Sequence, residues 1–148
     1  MGHSLDEFMV RFQDEILKQV KETYGEKVYE RWQNPLYRGA IKDADGYARL
    51  KGRCEDTMEI FLKFQENHVE NATFQTDGCG SSIVCGSIAA EISFGKSPEY
   101  LLDITGEVIL EKLDGLPEED KHCAFLAAAT LHEATNNYMI KQTKKLET

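Results

Sequence analysis

No apolar run in this 148-residue chain approaches the length of a membrane span, and its N-terminus lacks the apolar core of a secretory signal. Both absences point to the cytoplasm, or to a comparable reducing compartment. Positive charge is also scarce: 17 Lys and Arg face 26 Asp and Glu, for a formal net charge of -9. That balance argues against nucleic acid and against an anionic membrane surface, and it leaves basic protein partners. Internal repeats, linkers and low-complexity segments are missing. Cysteine is sparse as well, and in a reducing compartment four thiols read as metal ligands or reactive groups rather than disulfides.

What is present suits one domain with a single core. Residues 1–23 read as an amphipathic helical extension and residues 24–148 as the domain. In the extension a helix is expected over Ser4 to Glu22, with Ser4 and Glu7 at capping-box spacing. Leu5, Phe8, Met9, Phe12, Ile16, Leu17 and Val20 form one stripe. Asp6, Glu7, Asp14 and Glu15 make that helix a poor membrane binder, so the stripe should pack on the domain or on a second copy in a homodimer. A second helix, Tyr24 to Gln33, stops at Asn34-Pro35.

Three strands follow. Tyr47 to Lys51 alternates, Met58, Ile60, Leu62 and Phe64 keep a period of two, and Val69 to Thr76 returns after a turn at Glu66-Asn67-His68. The rest reads as helix: Cys79 to Phe94, a short one after Ser97-Pro98, Thr105 to Leu113, and a long one from Leu116-Pro117 to about Lys144. Strands followed by helices give an α+β fold, a three-stranded antiparallel sheet covered by helices on one face.

The chemistry-bearing residues lie at element ends. Cys79 stands between two glycines where the third strand gives way to a helix, and a helix N-terminus biases a thiol toward thiolate. Cys54 and Asp56 occupy the connection between the first two strands, and His122 and Cys123 open the last helix. If these ends share one rim, soft thiolates, an imidazole and a harder carboxylate would suit zinc or an iron–sulfur cluster. The carboxylate should exchange more readily than a thiolate, as a cluster meant for release requires. Cys85 reads as a small core residue, and His68 and His132 as surface residues. The glycosylation pattern Asn71-Ala72-Thr73 falls in a strand and carries nothing. A structural zinc site is the bland reading of the whole set.

Cys54-x-Asp56, Thr76-x-Gly78-Cys79-Gly80-Ser81, and Leu116-Pro117 followed by Lys121-His122-Cys123 resemble, in order and separation, the IscU/NifU-type iron–sulfur cluster assembly scaffolds. The resemblance runs from Tyr24 to the end of the last helix. It implies that Cys54, Cys79, Cys123 and Asp56 hold a nascent [2Fe–2S] cluster, with His122 as an alternate ligand and zinc able to enter the same site. It further implies sulfur from a cysteine desulfurase, iron from a donor, transfer to apo-proteins, and a role for Tyr24 in dimer contacts. Such a protein is a scaffold and not an enzyme, and two copies could build a [4Fe–4S] cluster. Cys123 and Cys54 are the expected persulfide acceptors. Without a following cluster domain, the expected form is the stand-alone one.

Three departures stand out. Glu55 replaces the usual glycine before Asp56, and Asp77 replaces the usual aromatic before Gly78. Leu116-Pro117-Glu118-Glu119-Asp120 keeps two residues of the Leu-Pro-Pro-Val-Lys segment read by an Hsp70-type chaperone, which makes that chaperone a doubtful partner. The competing functions are a zinc-dependent sulfurtransferase and a structural zinc module. The histidine before Cys123, and the lack of an insertion between Cys79 and Cys123, point away from the zinc-dependent sulfur acceptors.

Overall fold

A computed structural model describes residues 2–53 and 55–147, with side chains from residue 7 to 146 except at position 54. The chain begins with α1 (Gly2–Tyr24) and α2 (Glu26–Gln33), continues through β1 (Gly46–Lys51), β2 (Thr57–Gln65) and β3 (His68–Thr76), and then turns helical. α3 (Gly80–Ser93), α4 (Pro98–Leu102), α5 (Gly106–Lys112), a 3₁₀ turn (Glu118–Asp120) and α6 (His122–Glu147) complete it.

The three strands form an antiparallel meander in the order β1-β2-β3, as the alternating pattern requires. Met58, Ile60, Leu62, Val69, Ala72 and Phe74 point inward and are buried. α6 lies across β1 and β2, while α3 lies across β3, so one face of the sheet is covered. The other face carries Arg49, Glu59 and Lys63, with the Tyr47 and Phe61 rings 4.9 Å apart. α3 is buried along nearly its whole length, which explains its small residues Ala89, Ala90, Gly86 and Ser87. α2 is tied to α3 by Arg31, whose Nη2 donates to Glu91 Oε1 at 2.8 Å and whose Nη1 donates to Ser87 Oγ at 3.0 Å.

Several sequence expectations need correction. α1 starts at Gly2, so Ser4 lies inside the helix and does not cap it. Tyr24 closes α1 instead of opening α2: Gly25, at φ 93°, breaks the two helices apart in a region that glycine enters freely. The long last helix does not begin at Pro117. A 3₁₀ turn intervenes, with the Asp120 amide bonded to Pro117 O at 2.9 Å, and α6 starts at His122. His132 is half-buried, not a surface residue; its Nε2 lies 2.7 Å from Ile104 O and ties α6 to the chain before α5. Cys85 is fully buried, as expected of a core thiol.

Candidate metal and cluster centre

The site is built from the three connections at one rim of the sheet. The β1–β2 connection is short and tight, with the Gly52 amide donating to Asp56 O at 2.7 Å and the Glu55 amide to Gly52 O at 3.1 Å. Closing it puts Glu55 at φ 65°, the left-handed region that disfavours side chains with a β-carbon. A glycine would sit there without strain, so Glu55 holds this turn at a cost of about 1 kcal/mol. Asp77, the other departure, acts locally. Its Oδ1 accepts the Thr57 amide at 2.7 Å and pins the start of β2 to the end of β3. Thr76 Oγ1 donates to Thr57 O at 2.7 Å and reinforces the same junction. Cys54 lies outside the described residues.

Cys79 is the N-cap of α3 in extended backbone, and its exposed thiol makes no capping bond. One turn later Ser82, fully buried, joins the site's parts together. Its hydroxyl lies 3.2 Å from Asp56 Oδ2, 3.4 Å from Cys123 Sγ and 3.9 Å from Cys79 Sγ. The His122 Nε2 lies 3.7 Å from Cys123 Sγ. Ligand atoms of Asp56, His122 and Cys123 all fall within 4.8 Å of one another, a spacing that one metal ion could bridge. Cys79 stands just beside this trio, linked to it through Ser82.

The two described thiols of the site differ in character. Cys123 is fully buried, and burial, followed by the nearby Cys79 charge, lifts its pKa from 9.0 to about 12 against the opposing pull of the Ser82 hydroxyl. A buried, protonated thiol is a poor nucleophile, so Cys123 can accept sulfur only after the site opens or a metal displaces its proton. The linkage has a definite sign. Between about pH 9 and about pH 12 the folded chain keeps a proton at Cys123 that the unfolded chain has lost, so this contribution falls as pH rises. We expect metal-free protein to lose about 1 kcal/mol more than Cys123→Ala on going from neutral pH to roughly pH 10. Denaturant titrations at the two pH values check this.

Gly78 permits the close approach of the donors. A β-carbon there would stand 2.6 Å from Ser82 Oγ and 2.8 Å from Asp56 Oδ2. Gly78→Ala should therefore part Asp56 from Ser82 and weaken zinc or iron binding by roughly tenfold, the scale of a disturbed supporting contact. Competition against a chromophoric chelator measures the loss, and circular dichroism should remain that of the parent.

Of the five expected ligands, the structure brings together Asp56, His122 and Cys123 and sets Cys79 beside them. Sequence reasoning misses Ser82: α3 carries four serines, and nothing in the sequence marks this one. It also misses an apolar cavity of about 270 Å³ next to Cys79, lined by Val20, Tyr24, Val28, Trp32 and Val84, with Asp120 at its edge. A hydrogen bond with Asp120 is the main cause lifting the Tyr24 pKa, with the Asp120 charge adding to it.

The sequence and the fold have known relatives. The family model described as the NifU-like N-terminal domain matches residues 23–145. An iron-sulfur cluster assembly scaffold protein IscU of Archaeoglobus fulgidus is 40% identical over 122 residues, covering 82% of this chain and 80% of its own length. The protein of the same name from Haemophilus influenzae is 36% identical, covering 80% of this chain and 98% of its own. The crystal structure of a NifU-like N-terminal protein from Brucella abortus superposes with a TM-score of 0.65 at 16% identity, over 82% of this chain and 98% of that one, a likeness of fold alone. α1 lies almost wholly before the matched region.

Proposed function

Because the chain belongs to the NifU-like N-terminal domain family, we propose that it is a scaffold on which an iron–sulfur cluster is assembled before transfer to other proteins. The observation that carries this reading is the gathering of Asp56, His122 and Cys123 within 4.8 Å, with the exposed Cys79 joined to them through Ser82. Thiolates hold iron and zinc firmly, whereas a carboxylate is a harder and more exchangeable ligand. A mixed donor set therefore suits cargo that must leave. The proposed ligands of a [2Fe–2S] cluster are Cys54, Cys79, Cys123 and Asp56, with His122 as the alternate, and zinc competes for the same donors.

Sulfur would arrive as a persulfide on a cysteine desulfurase. A scaffold thiolate attacks the outer sulfur, the persulfide S–S bond breaks, and the desulfurase thiolate leaves. Among the described thiols Cys79 is the accessible one, while Cys123 must first lose its cover. An iron donor and apo-protein acceptors complete the set of partners, and the net charge of -9 favours basic surfaces on them. The chain carries cargo and does not turn over a substrate. No described helix is long and apolar enough to cross a membrane.

Anaerobic incubation with iron, a desulfurase and cysteine tests the proposal: a visible-absorbing cluster with acid-labile sulfide is expected, and a colourless protein would sink it. Transfer tests the carboxylate. Asp56→Ala should fold normally, retain its cluster, and pass it to an apo-acceptor roughly tenfold more slowly, because the exchangeable ligand is gone. Stopped-flow absorption follows the rate, and transfer at the parental rate would remove Asp56 from this role.

A further inference from the structure

The backbone around Asp56 is fixed on both sides. Its carbonyl accepts the Gly52 amide at 2.7 Å, and the next residue, Thr57, gives its amide to Asp77. What remains to be set is the direction of the carboxylate, and Ser82 sets it. The Ser82 hydroxyl, fully buried in the first turn of α3, lies 3.2 Å from Asp56 Oδ2 and 3.4 Å from Cys123 Sγ. A hydroxyl has one hydrogen to give, and a carboxylate is a stronger acceptor than a sulfur. The hydrogen therefore goes to Asp56, and the carboxylate's other oxygen stays available to a metal.

His122 competes for the same place. Its ligand atom belongs to the same 4.8 Å group as those of Asp56 and Cys123. Imidazole also suits zinc and iron better than a carboxylate does, so affinity alone would favour the histidine. Direction opposes it. Adjacent positions on a helix diverge by about 100°. Cys123 is aimed inward at Ser82, so His122, half-buried at the first position of α6, leaves the helix to one side. Its Nε2 rests 3.7 Å from Cys123 Sγ.

We propose that Ser82 is a positioning residue that selects the ligand set beside the thiolates: its hydrogen bond holds Asp56 in the metal-binding position and keeps His122 in reserve. The inference rests on the reading of this rim as a metal and cluster site, and adds to it the group that chooses between two donors. Choosing the carboxylate keeps the exchangeable ligand in the set. Without the hydroxyl, Asp56 turns out to water from the short β1–β2 connection, and the imidazole takes its place.

The test loads the full chain with cadmium alone, as a spin-active isotope that stands in for zinc at thiolate sites. In nuclear magnetic resonance, coupling between the metal and a histidine ring appears only where a ring nitrogen is bound. The chain has four histidines, and His122 is assigned by the signal missing from His122→Gln. The parent should show no coupling to His122. Ser82→Ala, which removes one oxygen and improves helix propensity, should show it. The same variant should pass a reconstituted cluster to an apo-acceptor roughly tenfold more slowly, as loss of the Asp56 carboxylate does. Ser93→Ala is the control: Ser93 is equally buried on α3, its hydroxyl donates to Ala89 O at 2.7 Å, and its loss should keep the parental pattern. Coupling to His122 already in the parent, its absence in Ser82→Ala, or its appearance in Ser93→Ala would each overturn the proposal and leave the scaffold reading standing. A parent that takes up neither cadmium nor zinc would remove the metal site itself, and the proposal with it.

Discussion

Cys79→Ser should leave the fold unchanged and lower the stability of bound cluster by roughly a hundredfold, at or beyond the upper end of what supporting contacts alone cost. The substitution replaces one sulfur atom at an exposed helix N-cap that makes no capping bond, so little in the packing depends on it. A serine hydroxyl even caps a helix better than a thiol does. As a ligand, however, it is hard, weakly acidic and neutral, whereas iron and zinc favour thiolate. Visible absorption during anaerobic reconstitution, and loss of the spectrum under a chelator, measure the effect. An unchanged cluster lifetime would take Cys79 out of the ligand set. Cys123→Ser is a less clean experiment, because it also places a hydroxyl in a fully buried site.

The second large effect lies in the core. A β-carbon on Gly86 would stand 2.5 Å from Phe74 Cδ2 and 2.9 Å from its Cγ, and Phe74 is fully buried with nowhere to retreat. Helix propensity pulls the other way, since replacing a mid-helix glycine gains at most about 1 kcal/mol. Overpacking typically costs about 1–3 kcal/mol, and here the strained atom is the body of a ring, so sterics win. Gly86→Val should lose about 3 kcal/mol and lower the melting temperature by roughly 10 °C. Thermal unfolding of metal-free protein decides it. A neutral result would mean that α3 can lift off β3 cheaply, contrary to the packing described.

Much of this is legible in the chain. The period of two in Met58, Ile60, Leu62 and Phe64 survives because one sheet face is solvated, and that alternation identifies a half-buried strand without outside help. The junction at Gly78-Cys79-Gly80 is legible because close approach leaves no room for a β-carbon at position 78. The break before α6 is not. Pro117 is a good helix starter, and the acidic run after it suits a helix N-terminus, yet the 3₁₀ turn forms with Asp120 paired to Tyr24, nearly a hundred residues away. No local signal encodes that contact. His132 is misread for the same reason, its partner being a carbonyl on the other side of α5. Ser82 escapes notice because serine is chemically quiet until the fold buries it among Asp56, Cys79 and Cys123. The apolar stripe of α1 is plain; what covers it is not, since a stripe records a need for burial without naming the surface that meets it.

Trp32 is the chain's one tryptophan, and it packs so closely on α3 that a β-carbon on Gly80 would lie 3.1 Å from its Cδ1 and Nε1. Gly80 directly follows Cys79, and the same indole lines the cavity beside that thiol. The protein therefore carries its single indole fluorophore at the doorway of its site. Any coloured or paramagnetic cargo held there sits within quenching reach of it, and any apolar guest in the cavity changes the polarity around it. Loading and occlusion would write different signatures on one emission band, a quench in the first case and a spectral shift in the second. Both events can be followed in the unlabelled chain.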